Sequence, residues 1–141
     1  MTAPSFHLSL VTDDLPRQRA FYLEVLGCAA GRIGPDFQDI DFFGHQLTFH
    51  QRPVADVPPY ETFHFGAMVA TEVFDRVYAQ LQGHGATILI APALQQAGSA
   101  NERRKLVFLD PNGYAVELKC YADPSRVFAP EAAYARVPRS S

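Results

Sequence analysis

The sequence predicts an α+β fold in which two tandem βαβββ modules pair into a concave half-barrel sheet. Three observations carry that prediction. The order strand, helix, three strands occurs twice in 141 residues, and the dipeptide Phe-His opens both copies, at Phe6-His7 and Phe63-His64. The second copy closes on a hairpin, Leu106 to Tyr121, in which Asp110-Pro111-Asn112-Gly113 supplies a tight turn between two apolar-alternating runs. The length suits one domain, residues 1–141. Within it, module 1 covers about 5–51, a linker 52–61, module 2 about 62–121 and a C-terminal extension 122–141.

In module 1, Phe6 to Val11 alternates like a half-buried strand, with His7 on its less apolar side. Thr12 and Asp13 offer capping oxygens and Pro16 lies in the first turn, so a helix starts near Leu15 and carries Phe21, Tyr22, Val25 and Leu26 to Gly27. Strands follow at Cys28 to Ile33, Phe37 to Phe43 and, after a Gly44-His45 turn, Gln46 to His50. The linker has no periodicity and is rich in proline. In module 2, Phe63 to Val69 is a strand with His64 opposite its apolar residues. Thr71 caps a helix striped by Phe74, Val77, Tyr78 and Leu81 and closed by Gly83 and Gly85. Thr87 to Ile90 is a strand and Ala91 to Arg104 a loop before the hairpin. Pro124, Pro130 and Pro138 give the extension an extended or partly ordered character.

Composition narrows the function classes. A net charge of -3 with scattered Lys and Arg gives no reason to expect nucleic acid or an anionic membrane as partner. No apolar run approaches a membrane span and no signal peptide is visible, so the expectation is a cytoplasmic protein. Cys28 and Cys120 lack CxxC spacing and read as small core residues.

The polar faces hold the candidate chemistry. In the last strand, alternation places Tyr114, Val116, Leu118 and Cys120 toward a core, and Glu117, Lys119 and Tyr121 on the other face. A carboxylate in mid-strand needs a cation, a metal or water as partner, and Lys119 is one candidate. Gln46, Thr48 and His50 share the corresponding face of the module 1 strand. Arg103, Arg104 and Lys105 read as a solvated charge cluster, with contact to an anionic substrate as the alternative. His45 and His84 read as solvent-facing.

These motifs resemble the vicinal oxygen chelate superfamily, which includes glyoxalase I, extradiol dioxygenases, fosfomycin-modifying enzymes and bleomycin-resistance proteins. The resemblance spans roughly residues 5–121. It rests on His7-Leu8-Ser9-Leu10 with Asp14-Leu15, Phe21-Tyr22 with Leu26-Gly27, His64, and Phe108-Leu109-Asp110-Pro111-Asn112-Gly113 with Glu117. It implies that His7, His64 and Glu117 hold a divalent metal ion, with Fe(II) or Mn(II) favoured over Ni(II) or Zn(II), and that Gln46, Thr48, Lys119 and Tyr121 line the substrate pocket. Glyoxalase I places another Glu ligand on the last strand of its first module, where this chain has no carboxylate. In extradiol dioxygenases a His near the end of that strand handles protons, which His50 matches, although Val107 replaces their Tyr and the preceding loop lacks their His. The basic, hydroxyl-rich loop of fosfomycin-modifying enzymes is poorly matched by Asn101-Glu102-Arg103-Arg104. The implied activity is that of a small dioxygenase-type enzyme acting on a small molecule with vicinal oxygens. The alternatives are a metal-free binding protein of bleomycin-resistance type and a glyoxalase-type lyase or isomerase. Unpaired sheet edges predict a homodimer; the resemblance to short relatives whose site halves come from different chains implies that His7 of one chain meets His64 and Glu117 of the other, with a site inside one chain as the alternative.

Overall fold

Period-two burial settles which face of each sheet is dry, and the dry faces decide how the two modules meet. The computed structural model describes residues 3–129. Module 1 comprises β1 (His7–Thr12), α1 (Leu15–Ala20) running into a π-helical turn (Phe21–Val25), β2 (Ala29–Ile33), β3 (Phe37–Phe42) and β4 (His45–Gln51). Module 2 repeats the order with β5 (Phe65–Met68), α2 (Thr71–Gly83), β6 (Ile88–Gln95), β7 (Arg103–Leu109) and β8 (Ala115–Tyr121). The first sheet runs β1-β4-β3-β2 and the second β5-β8-β7-β6. In each, the module's first strand lies parallel to its last, and the other neighbours are antiparallel.

The hydrogen-bonded ladders form two separate four-stranded sheets. Their dry faces and the two helices share one core, in which Tyr22, Leu26, Leu47 and Phe49 of module 1 cluster with Phe74, Leu81, Phe108 and Leu118 of module 2. Phe21 packs on Phe108 and Phe42 on Phe65 across the module boundary, with ring centroids 6.1 and 5.6 Å apart. The wet faces therefore point away from this core.

A buried polar knot ties the modules together. Asp110, in the hairpin turn, accepts hydrogen bonds from Gln18 Nε2 (2.9 Å) and Tyr22 OH (2.8 Å) of module 1. It also accepts from the backbone N–H groups of Asn112 (2.9 Å) and Tyr114 (3.0 Å) in its own turn. Tyr114 OH donates to the Val11 carbonyl at 2.9 Å. Burial pushes the Asp110 carboxyl above its ordinary value, against the pull of these donors, and drives Tyr22 well above the usual phenol range. Gly113 takes the left-handed φ of 95° that closes the turn.

Several local expectations change. Asp14, not Thr12 or Asp13, caps α1 by accepting from Arg17 N, while Thr12 accepts from Asp14 N. Thr71 is the first residue of α2 and its hydroxyl lies 3.2 Å from Cys120 Sγ, so it does not cap the helix. Much of the expected 91–104 loop is strand, because β6 continues to Gln95 and β7 begins at Arg103. Pro92 is accommodated because β6 is an edge strand with register shifts on both sides of Ile90. His45 begins β4, and its Nδ1 accepts from Phe6 N at 2.9 Å. His84 closes α2 as its C-cap. Both cysteines are buried and unbridged, and burial pushes the Cys28 thiol up to about 12. Of the extension, a short 3-10 helix at Pro124–Arg126 is described, whereas Pro130 and Pro138 lie outside the described residues. Among the described residues no helix is long and apolar enough to cross a membrane.

Replacing Asp110 with Ala strands four donors in a site that excludes water. The expected cost is about 3 kcal/mol or more, read as a lower urea midpoint. An unchanged midpoint would show that the knot does not hold the modules together.

Candidate functional site

The wet face of the second sheet gathers a compact polar cluster around Glu117. β8 projects Glu117 from the face opposite Val116 and Leu118, and its side chain is only about a tenth exposed. Tyr60 OH donates to Glu117 Oε1 at 2.7 Å. Lys105 Nζ stands 3.7 Å from Oε1, and Lys119 Nζ stands 3.6 Å from Oε2. Lys105 also donates to Tyr60 OH at 3.2 Å. Burial first, then the hydrogen bond to Glu117, raises the Tyr60 phenol above its ordinary value, which keeps it a donor.

His64 precedes β5 by one residue and completes the cluster. The Tyr60 carbonyl lies 2.9 Å from His64 Nδ1, and a carbonyl can only accept, so the proton is on Nδ1. When the ring is neutral, the lone pair of Nε2 is left 3.7 Å from Glu117 Oε2. Tyr60 further stacks on His64 with ring centroids 4.5 Å apart. The backbones of β5 and β8 come close here because residue 66 is glycine: a Cβ at Gly66 would collide with the Glu117 carbonyl oxygen. A groove of about 230 Å³ results, lined by His64, Gly66, Met68, Glu117 and Lys119.

The first sheet has its own polar face, organised by Asp39 of β3. This buried carboxylate accepts from Thr48 Oγ1 (2.7 Å), Arg32 Nε (2.7 Å) and Gln46 Nε2 (3.1 Å). Burial pushes its pKa up, but these three hydrogen bonds and the Arg32 charge outweigh burial, so the carboxyl lies below its ordinary value. His7 lies on edge strand β1, exposed and in register with Gln46. His50 is partly buried further along β4, against Phe37.

The structure thus brings His64, Glu117 and Lys119 together, and separately places His7, Gln46, Thr48 and His50 on the first sheet. Among the described residues, no three His, Cys, Asp or Glu side chains converge as a metal site. Tyr121 is mostly buried, with the Arg103 guanidinium over its ring. The expected solvated cluster at 103–105 is corrected, because Arg104 crosses to the other face to pair with Asp75 while Lys105 joins Glu117. Strand alternation over 103–109 would have separated them, had the first strand of the hairpin been extended back from Leu106 to Arg103. Tyr60 and Asp39 were also missed. Tyr60 was hidden in an aperiodic linker, and only its position four residues before His64 pointed to a turn. Asp39 looked like an ordinary polar residue of an alternating strand.

Comparison with known proteins places these features in context. A model of the Glyoxalase/Bleomycin resistance protein/Dioxygenase superfamily matches residues 5–118. The chain is similar to a glyoxalase/bleomycin resistance protein/dioxygenase from Alicyclobacillus acidocaldarius, at 29% identity and a TM-score of 0.71, over 89% of this chain and 96% of that one. It shares its fold with the genomically encoded fosfomycin resistance protein FosX of Listeria monocytogenes, at 15% identity and a TM-score of 0.70, over 90% and 100% of the two chains. A glyoxalase/dioxygenase from Nostoc punctiforme has the same fold at 19% identity and a TM-score of 0.68, over 85% and 92%.

The depressed pKa of Asp39 fixes the sign of a pH effect. Its proton binds the unfolded chain first on acidification, so its stabilisation is complete above the ordinary carboxylate range and is lost as pH falls through the folded value. Asp39→Asn should cost about 1–3 kcal/mol near pH 7, and its urea midpoint should converge on that of the wild type as pH falls below the ordinary carboxylate range and through the lowered folded value. A gap independent of pH would contradict this.

Proposed function

Because the chain belongs to the glyoxalase/bleomycin resistance protein/dioxygenase superfamily, we propose that it is a divalent-metal-dependent enzyme, most like a small dioxygenase-type member, acting on a small molecule with vicinal oxygens. We further propose that its site is shared between two copies, with His7 of one chain joining His64 and Glu117 of the other. The observation that carries this is the preparation of His64: Nδ1–H held on the Tyr60 carbonyl, and Nε2 turned to Glu117. Such a backbone acceptor fixes the tautomer of a metal-ligating histidine and orients its ring. The donor set of two imidazoles and one carboxylate suits a divalent ion with open positions.

Fe(II) or Mn(II), with Ni(II) or Zn(II) as alternatives, would supply Lewis acidity toward two adjacent substrate oxygens. The chain's own residues do the rest. Tyr60 holds Glu117 in place and Gly66 leaves the groove open. On the first sheet, Asp39 fixes Gln46 and Thr48 as lining groups. His50 is assigned proton transfer, since one imidazole nitrogen can donate a proton while the other accepts one. Its place two residues beyond Thr48, roughly 7 Å along the strand, puts it beside the lining groups.

A second reading has a specific observation in its favour. Glu117 already has Lys105, Lys119 and Tyr60 as partners, so its carboxylate is satisfied without a metal, as a small-molecule binding protein of bleomycin-resistance type would require. A glyoxalase-type lyase or isomerase is the remaining alternative.

Complementation separates these readings. His7→Ala and Glu117→Ala chains should each lose bound metal. Refolded together in equal amounts, they should recover about a quarter of wild-type metal, because half of randomly formed dimers are mixed and each mixed dimer rebuilds one of two sites. No recovery by elemental analysis would refute a shared site. Absence of metal from the wild type after loading with Mn(II) would favour the binding protein.

A further inference from the structure

The two lysines beside Glu117 are an unusual pairing. Lys105 and Lys119 sit directly opposite each other in the β7–β8 ladder, and like charges in that relation repel. Their side chains are only 20% and 27% exposed, so water screens them weakly. Among the described residues, Glu117 is the only carboxylate within 4 Å of either ammonium, and it balances one of the two charges. The lysines reach different oxygens of this one carboxylate.

From this we infer that Lys105 and Lys119 form an oxyanion subsite, and that the substrate is a small anion bearing a carboxylate or phosphate next to its chelating oxygens. The inference rests on Glu117 being a metal ligand. A divalent cation at Glu117 draws the carboxylate's charge away from the lysines and takes the cluster from a net charge of +1 to +3. Two partly desolvated ammonium groups then lack a counterion, which a neutral diol does not supply and an oxyanion does. The groove beside Glu117 and Lys119 gives the anion room, since Gly66 projects nothing into it. Lys105 is further steadied by the Tyr60 ring, 5.7 Å from its Nζ, so its ammonium stays on this face.

The lysines hold metal and anion in opposition, which gives a test that a merely structural role would not pass. Glycolate and ethylene glycol serve as probes in calorimetric titrations of the full chain loaded with Mn(II): both offer two adjacent oxygens for chelation, and only glycolate, through the second oxygen of its carboxylate, also offers an oxyanion to the lysines. In the double variant Lys105→Gln/Lys119→Gln, Mn(II) should bind several-fold tighter, because two competing cations are gone. Glycolate should bind the loaded variant about tenfold or more weaker than the loaded wild type, the scale of a charge-assisted hydrogen bond, while ethylene glycol should be unaffected. Lys105→Arg alone should keep most of the glycolate affinity. Loss of affinity for both Mn(II) and glycolate would mark the lysines as structural, and unchanged glycolate affinity at full metal content would overturn the subsite alone. A wild-type chain that takes up no Mn(II) would overturn the metal reading and the subsite with it.

Discussion

The buried carboxylate of Asp110 is the constraint on which the arrangement of this protein depends. It is one residue of a hairpin turn, yet two of its four donors come from the first helix of the other module. Satisfying it requires the hairpin turn of module 2 to lie against α1, with the dry faces of both sheets turned inward on a common core. That packing sends the wet faces outward. The separation of His7 from His64 and Glu117 within one chain is therefore a consequence of how the core is closed.

At Glu117 the controlling effect is electrostatic. An unpaired carboxylate about nine-tenths buried would be costly, and here Tyr60, Lys105 and Lys119 each relieve it. The same contacts hold the carboxylate oxygens and His64 Nε2 in a defined relation before any ligand arrives, so little ordering is left for binding to accomplish.

The fold was legible because its signals are periodic or local. Alternation exposed β1, β4 and β8, the apolar stripe exposed α2, and Pro-Asn-Gly marked the hairpin. Repetition of Phe-His placed the two modules. His64 and Glu117 were legible as neighbours through the superfamily resemblance, which matches His64 at the opening of module 2 with Glu117 in its last strand. What escaped depended on contacts distant in sequence. Gln18 looks like a surface residue of α1, and only the arrival of Asp110 from 92 positions away makes its burial tolerable. Tyr60 belongs to a segment without periodicity, so nothing local predicted that its carbonyl and hydroxyl would serve two different site residues. Strand β6 runs on past Ile90 to Gln95 through Pro92, whose missing N–H matters less at a sheet edge than in a sheet interior.

The sheet edges themselves bear on how copies of this chain can assemble. At the far edges, β2 is irregular in register between Ala30 and Ile33, and β6 combines register shifts with a proline. Both disturb the straight row of donors and acceptors that an incoming strand would need. At the near edges, β1 and β5 pair in unbroken register with their neighbours. Each sheet thus offers a regular backbone ladder on one side only. An added strand would therefore find an even row of partners at β1 and β5, and copies that pair edge to edge would do so through the strands that open the two modules.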